Sequence, residues 1–219
     1  MMLLSSLRCG GGTGPWELLG LSVSGDTVFL ADVLLTADDG PRGLSAWSFH
    51  RDASIDDSRV DAVREVSVDG IPTRLAAVEH GVSRQSGTST IGRHVVVGVD
   101  HVVLMTDDMD RTRAAIEEVL GLPLRRERDL GGGARQCFYK PDNTVIEVVT
   151  NPRDPSPGAS LWGFVLSVDD LDGLCADLGP DAVSTPKAAT QPGRFISTVR
   201  PAVGLGVQVA LMSPHVPTP

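Results

Sequence analysis

The chain has 219 residues, enough to bury a substantial core in one large domain or two small ones. Its formal net charge is −9, and no stretch is rich in Lys or Arg, which argues against a nucleic-acid partner. The three cysteines, Cys9, Cys137 and Cys175, are far apart and form no CxxC pair, so neither a disulfide framework nor a thiolate metal site is indicated. No apolar run approaches the roughly 20 residues that span a bilayer, and the apolar run before Arg8 is too short for a signal peptide. We therefore expect a cytoplasmic protein without a membrane partner.

The N-terminal part of the chain predicts a flexible end followed by strands. Residues 1–15 are small and Gly-rich, and we expect them to be flexible. Two strands are predicted at residues 27–36, which are rich in Val and Leu, and at residues 43–50, where apolar residues alternate with small or polar ones. Residues 16–95 are accordingly interpreted as a β-rich region, and a degenerate extra module is one interpretation of it.

Two further stretches of this region have weaker patterns. Residues 55–66 carry apolar side chains at the spacing of a short helix. Residues 81–92 are rich in Ser, Thr and Gly, which is typical of a linker or loop.

An internal repeat with an offset of 62 residues is the strongest pattern in the chain. Residues 101–110 (HVVLMTDDMD) and 163–172 (GFVLSVDDLD) each lead from an apolar strand into DDxD. A helix-like stretch follows in both copies and stops at Leu-Gly. The acidic residues suit a helix N-terminus, where a carboxylate accepts free backbone N–H groups and meets the positive end of the helix dipole.

The second halves of the two copies also correspond. Residues 135–141 (RQCFYKP) match residues 194–201 (RFISTVRP), and each is followed by a final strand, at 144–150 and 206–213. Three glycines at 131–133 lie where the second and third strands of the first copy must turn.

The repeat predicts an α+β fold. Two βαβββ modules, at residues 99–152 and 161–214, form a curved, cup-like mixed sheet with the helices outside, within a domain at 96–214. The strand period of two assigns the faces, and Trp162 is predicted on the helix side. Facing away from the helices, at equivalent positions of the two modules, are His101, Glu147, Gly163 and Gln208, with Met105 beside His101.

This pattern resembles the vicinal-oxygen-chelate (glyoxalase/bleomycin resistance protein/dioxygenase) superfamily over residues 99–214. The resemblance rests on VDHVVLMTDDMDRT, on TVIEVVTNP and on WGFVLSVDDLD. It implies a small-molecule ligand in a cavity between the two modules, and it favours a homodimer. It also implies metal ligands on the first and last strands of each module.

Carried over position by position, the resemblance gives a metal-ligand set of His101, Glu147 and Gln208, while Gly163 stands where a ligand should be. The implied ion is a divalent metal (Zn, Ni, Mn or Fe), and a metal-free protein is the alternative. An extradiol dioxygenase is disfavoured because its iron needs a second His.

The candidate catalytic residues are Glu147, as a base, and His101, as an acid or ligand. A buried carboxylate needs a partner, so Glu147 is alternatively an ion-pair partner of Arg135, Arg194 or His101. His101 is alternatively a hydrogen-bonded core histidine. The other histidines, including His94, show no ligand spacing and are expected at exposed positions.

A second group of residues is predicted to contact the ligand. In this group the guanidinium of Arg194 would bind a carboxylate or phosphate of the ligand. The alternatives are a purely structural Pro-Gly turn at 191–194, a core position for Tyr139 and an ordinary polar lining role for Gln208. The predicted ligand contacts are Gln191, Arg194, Tyr139, Gln208 and Met105.

The sequence leaves two main functions open. One is a glyoxalase-like lyase or isomerase that moves a proton on a small carbonyl or hydroxy-acid compound. The other is a non-catalytic protein that binds or sequesters a drug or metabolite, as the bleomycin-resistance proteins do. A purely structural or partner-binding role is a third.

Overall fold

The computed structural model describes residues 1–52, 63–78, 89–150 and 157–215. The strands of the N-terminal half are β1 (Met2–Gly10), β2 (Val23–Ser24), β3 (Thr27–Leu30), β4 (Val33–Asp38), β5 (Gly43–Asp52), β6 (Val63–Val68), β7 (Ile71–Val78) and β8 (Ser89–Ile91). Those that follow are β9 (His94–Thr106), β10 (Arg126–Gly131), β11 (Ala134–Tyr139), β12 (Val145–Thr150), β13 (Ala159–Val168), β14 (Lys187–Ala188), β15 (Phe195–Thr198) and β16 (Gln208–Met212). The α-helices of the described residues are α1 (Gly14–Leu19), α2 (Met109–Leu120) and α3 (Leu171–Leu178), and a 3₁₀ turn lies at Pro201–Val203.

The described strands form two mixed sheets. Their strand orders are β2-β3-β4-β1-β5-β7-β6 and β10-β11-β12-β9-β13-β16-β15-β14, with β8 paired to β9. The predicted repeat appears as β9-α2-β10-β11-β12 followed by β13-α3-β14-β15-β16. The α+β class with paired βαβββ modules in curled mixed sheets is confirmed.

Helices α2 and α3 begin at the acidic residues that the repeat singled out. The Asp108 carboxylate accepts hydrogen bonds from the backbone N–H groups of Asp110 and Arg111, at 3.1 and 3.0 Å. The Asp170 carboxylate accepts one from Gly173 at 2.9 Å. The predicted role of DDxD as a pair of helix caps is therefore correct.

The flexible terminus predicted for residues 1–15 is wrong. Residues 2–10 form β1, in which Leu4, Leu7 and Cys9 are buried, and α1 follows with Trp16 buried. The Ser and Gly residues around these side chains suggested a segment without a core. The few apolar side chains present nevertheless bury fully once neighbouring strands supply hydrogen bonds and packing.

The other N-terminal predictions are partly corrected. The strand at 27–36 is a hairpin of β3 and β4, and the strand at 43–50 is β5. Of the predicted helix, residues 63–66 belong to β6 and the remainder lies outside the described residues. Of the predicted linker, residues 89–91 form β8 and residues 81–88 lie outside them too. Antiparallel pairing of β6 with β7 overrides the helical spacing.

The elements β1-α1-β2-β3-β4 repeat the strand–helix–three-strand order of the two C-terminal modules. This order is the one that a degenerate extra module requires, and we keep that interpretation of residues 16–95 as a proposal. The module and domain boundaries stay predictions as well.

The described residues divide into two compact units. Unit 1 comprises Met1–Arg8, Leu44–Arg84 and His101–Trp162. It contains α2 and the strands β5, β6, β7, β10, β11 and β12, together with the second part of β9. As predicted, the side chains on the helix side of its sheet are buried, namely Val102, Leu104, Ile146 and Val148. Trp162, which was predicted on the helix side, is the exception, because its side chain is 52% exposed.

Unit 2 comprises Cys9–Gly43, Gln85–Asp100 and Gly163–Pro219. Its core includes the stacked rings of Trp16 and Phe164, whose centroids are 6.1 Å apart, and the buried Val209 and Leu211. Among the described helices of the chain, none combines the length and apolar character that crossing a bilayer requires.

Candidate functional site

One face of the unit 1 sheet collects most of the predicted site. Strands β9 and β12 are parallel, with His101 opposite Val145 and Met105 opposite Val149. Strand β11 lies antiparallel to β12, and β10 antiparallel to β11. Directly opposed residues share a face. The side that points away from Val102 and Leu104 is called here the His101–Glu147 face, and it comprises Arg126, Arg128, Gln136, Phe138, Val145, Glu147, Val149, His101, Val103 and Met105.

His101 and Glu147 meet on this face. The imidazole Nε2 lies 3.6 Å from the carboxylate Oε2, and the two side chains are 14% and 18% exposed. A carboxylate this little exposed is costly without a partner, and the imidazole supplies one when it is protonated. Of the three partners that the sequence suggested for Glu147, the structure places His101 beside it, and the contact is an ion pair only when the imidazole is protonated.

Gln136 completes the environment of the carboxylate and was missed from the sequence. Its Nε2 donates a hydrogen bond of 2.5 Å to Glu147 Oε1, so each carboxylate oxygen has a neighbour of its own. Phe138 stands directly across the strand pair from Glu147. The alternation of side chains along β11 could have identified Gln136, because Cys137 and Tyr139 are buried on one face while Gln136 and Phe138 lie on the other.

The two predicted ligand contacts in unit 1, Met105 and Tyr139, lie on opposite faces of the sheet. Met105 lies on the His101–Glu147 face, two residues along β9 from His101. Tyr139 pairs with Ile146, so its side chain lies on the opposite face from Glu147 and is fully buried. Burial raises the pKa of the Tyr139 hydroxyl to about 12. The structure thus places Tyr139 at the core position that was its alternative.

In unit 2 the structure brings Gln191 and Arg194 together, but in contact with each other. Arg194 is only 4% exposed. Its Nε donates to the Ser213 carbonyl at 2.8 Å, one terminal nitrogen donates to Gln191 Oε1 at 2.5 Å, and the other donates to Asp100 Oδ2 at 2.5 Å. Every guanidinium nitrogen therefore has a protein acceptor, and this arrangement stabilises the turn before β15.

Gly163 and Gln208 are opposed in the parallel pair of β13 and β16. A Cβ atom at position 163 would lie 2.2 Å from the Gln208 carbonyl oxygen, far inside van der Waals contact. Close backbone approach therefore excludes any side chain at the position where the resemblance would place a metal ligand. Gln208 itself is exposed.

The donors of the His101–Glu147 face do not fit a resident metal ion. Within the part of the chain that the structure describes, no group of three or more His, Cys, Asp or Glu side chains is arranged to hold one. The His101–Glu147 face offers one imidazole and one carboxylate, which lie against each other, whereas protein metal sites commonly use three or four ligands. We therefore assign no chemical step to a metal.

His94 is not exposed as expected from the sequence. Its side chain is 5% exposed, with Nε2 2.9 Å from Asp177 Oδ2 and Nδ1 3.8 Å from Asp170 Oδ2. Arg93 also reaches Asp177 at 3.0 Å. The hydrogen bond from His94, more than the charge of Arg93, lowers the pKa of the Asp177 carboxyl. This cluster connects the start of β9 to α3 within unit 2.

Comparison with known proteins supports the family resemblance. Residues 98–193 match the model of the Glyoxalase/Bleomycin resistance protein/Dioxygenase superfamily. Similar solved structures include methylmalonyl-CoA epimerase from Mycobacterium tuberculosis, with 25% identity and a TM-score of 0.45 over 55% of this chain and 90% of that one. A Streptomyces coelicolor methylmalonyl-CoA epimerase variant in complex with 2-nitronate-propionyl-CoA has 17% identity and a TM-score of 0.46, over 55% of this chain and 99% of that one. No curated protein matches the chain.

Proposed function

Since residues 98–193 match the model of the Glyoxalase/Bleomycin resistance protein/Dioxygenase superfamily, we propose that the His101–Glu147 face binds a small carbonyl or hydroxy-acid compound and moves a proton on it. The protein would then be an isomerase or lyase of the glyoxalase-like kind. The observation that carries this proposal is the paired imidazole and carboxylate, 3.6 Å apart and both more than four-fifths buried.

Glu147 is the base in this proposal. Gln136 holds one carboxylate oxygen, so the other oxygen, beside His101, is the one that accepts a proton. The proton comes from the carbon next to the carbonyl of the substrate, and its bonding electrons move to form an enolate. His101 Nε2 donates a hydrogen bond to the enolate oxygen. The return of the proton from Glu147 to carbon gives the isomer or restores the starting compound.

The apolar neighbours of the pair support this chemistry. Val103, Val145 and Val149 share the face, and Val103 is 7% exposed. Apolar side chains around the pair keep water away from the reacting groups, so the proton passes between the protein and the substrate.

Deuterium exchange tests the base assignment. Candidate keto and hydroxy acids are incubated with the protein in deuterated water, and proton NMR follows the loss of the signal from the carbon next to the carbonyl. We expect Glu147→Gln to slow this exchange by about 100-fold or more, the usual contribution of a general base.

The control for this experiment is Glu118→Gln, the same change at an exposed position of α2. Its exchange rate should equal that of the wild type. Exchange at the wild-type rate in the Glu147→Gln protein would reject the base role.

A second function is supported by Gly163. The second module has no side chain at the position equivalent to His101, so the set of polar groups expected of a superfamily enzyme is incomplete. A protein that binds its ligand without turnover needs no such set. Compounds that raise the melting temperature of the wild type, yet exchange no deuterium in its presence, would favour this function, because any ligand of the folded state raises that temperature.

A further inference from the structure

We infer that Arg128 forms an anion-binding subsite on the His101–Glu147 face, where it takes the carboxylate or phosphate group of the bound molecule. The inference rests on the proposed function, because it identifies which chemical class of ligand that face accepts.

The register places Arg128 on the face. Arg128 pairs with Gln136 across β10 and β11, and Arg126 pairs with Phe138. Gln136 and Phe138 in turn oppose residues of β12, and Phe138 opposes Glu147 itself. Two guanidinium groups therefore share this side of the sheet with a single carboxylate.

The guanidinium of Arg128 has an unsatisfied donor. Its carbon Cζ lies 5.5 Å from the centroid of the Phe138 ring, so the ring supports the cation from one side. The Nε atom is buried, yet no described residue accepts its hydrogen. A buried N–H without an acceptor is costly, and a bound oxyanion would remove that cost.

The remaining arginines of unit 1 that lie near acidic residues are already held. Arg113 and Arg135 both bind Glu127, which points to the other side of β10 from Arg128. Arg111 binds Asp69 and Asp107. Glu147 is occupied by Gln136 and His101 rather than by Arg128. The protein therefore supplies acidic partners to its neighbours but none, among the described residues, to Arg128.

The planar guanidinium binds carboxylate and phosphate groups with two parallel hydrogen bonds. In a 2-keto or 2-hydroxy acid the carboxylate is bonded directly to the carbon that carries the oxygen. In a phosphorylated carbonyl compound the phosphate is a further few bonds away. Either anion held at Arg128 would orient the carbonyl end of the molecule toward the His101–Glu147 pair.

The test uses the full chain labelled with ¹⁵N-arginine. The Nε–H signal of Arg128 is assigned as the one that Arg128→Lys removes. The probes are lactate, its neutral analogue lactamide, and methyl phosphate. We expect lactate or methyl phosphate to shift this signal and lactamide to leave it in place. The tighter-binding anion identifies whether a carboxylate or a phosphate is the natural partner.

The affinity of the anionic probe is then compared between variants. Arg128→Gln should weaken it by about tenfold to a hundredfold, the range for a charge-assisted hydrogen bond, and should leave lactamide unaffected. The matched control is Arg64→Gln, at an exposed position of β6. It should change neither the affinity for the anionic probe nor the affinity for lactamide.

The inference is overturned if no anion moves the Arg128 signal, or if Arg128→Gln leaves the preference of lactate over lactamide unchanged. These results differ from a failure of the proposed function. In that case the Arg128 signal would still respond to anions, whereas Glu147→Gln would have no effect on deuterium exchange.

Discussion

In the first C-terminal module the first and last strands carry His101 and Glu147, whereas the matching positions of the second module carry Gly163 and Gln208. The backbone order of the two modules is the same. In unit 1 the positions hold a paired imidazole and carboxylate, and in unit 2 one of them is closed by backbone contact. One scaffold therefore carries a paired imidazole and carboxylate in one copy and close strand packing in the other.

A similar contrast separates two arginines, of which Arg194 is buried and Arg128 has a buried Nε atom. All the guanidinium nitrogens of Arg194 in unit 2 donate to protein acceptors. Arg128 in unit 1 is supported by an aromatic ring and has an unpartnered Nε among the described residues. The two arginines thus differ in whether protein groups satisfy their donors, and the unsatisfied donor of Arg128 is the basis of the anion subsite inferred above.

The largest effect is expected from Arg194→Met. Removal of the cation leaves Asp100, which is 14% exposed, without the guanidinium that faces it, and leaves the Ser213 carbonyl without its donor. Loss of one member of a buried ion pair costs about 3–5 kcal/mol. Urea denaturation should show a decrease of that size in the free energy of unfolding.

The comparison variant is Arg128→Met. Because the Nε of Arg128 has no protein acceptor to lose, we expect a change below about 1 kcal/mol. Equal destabilisation by the two substitutions would contradict the distinction between a structural and a ligand-binding arginine.

A smaller loss of stability is expected from Gly163→Ala. The new methyl group would meet the Gln208 carbonyl oxygen at 2.2 Å, and the backbone of β16 must shift to admit it. Overpacking of this kind costs about 1–3 kcal/mol. The control is Gly14→Ala, where a Cβ atom meets nothing within 4 Å and the free energy of unfolding should stay within about 0.5 kcal/mol of wild type. An unchanged stability for Gly163→Ala would mean that packing does not exclude a ligand at this position.

The C-terminal fold could be predicted from the sequence because the repeat is long and its strand, helix-cap and helix-end patterns agree with one another. An apolar strand, an acidic helix cap and a Leu-Gly helix end recur at constant offset, and Asp108 and Asp170 cap their helices as predicted. The N-terminal half offers no such agreement. The side chains of Leu4 and Leu7 are buried in β1, which lies between β4 and β5 in its sheet, and composition does not reveal this pairing.

The candidate site was predictable to the extent that strand parity was correct. His101, Met105 and Glu147 lie on one face, as the period of two requires. In β11 the choice of Tyr139 as a ligand contact was one residue out of phase, and a one-residue error exchanges the two faces, so Gln136 was missed. The pairing of Arg194 with Asp100 could not be predicted, because 94 residues separate them in the chain.

The smallest effect concerns acid stability in unit 2. The pKa of Asp177 in the folded protein is lowered below its ordinary value of 3.8, first by the hydrogen bond with His94. A carboxyl with a lowered pKa stabilises the fold above its ordinary pKa, and this contribution disappears as the pH falls through the lowered value. Asp177→Asn should therefore reduce the free energy of unfolding at neutral pH, and the difference from wild type should vanish as the pH falls below the lowered pKa of Asp177.

The groups that face Asp177 are His94 and Arg93, and Asp170 lies on the other side of the imidazole. Because Asp177 is partly exposed, solvent screens the interaction and the effect should also decrease with added salt. Asp181→Asn, at an exposed position after α3, is the matched control and should follow the wild-type pH profile. If the Asp177→Asn protein kept the same deficit at low pH, the loss would come from packing instead of charge, and the contact between β9 and α3 would be stabilised without the help of the carboxylate.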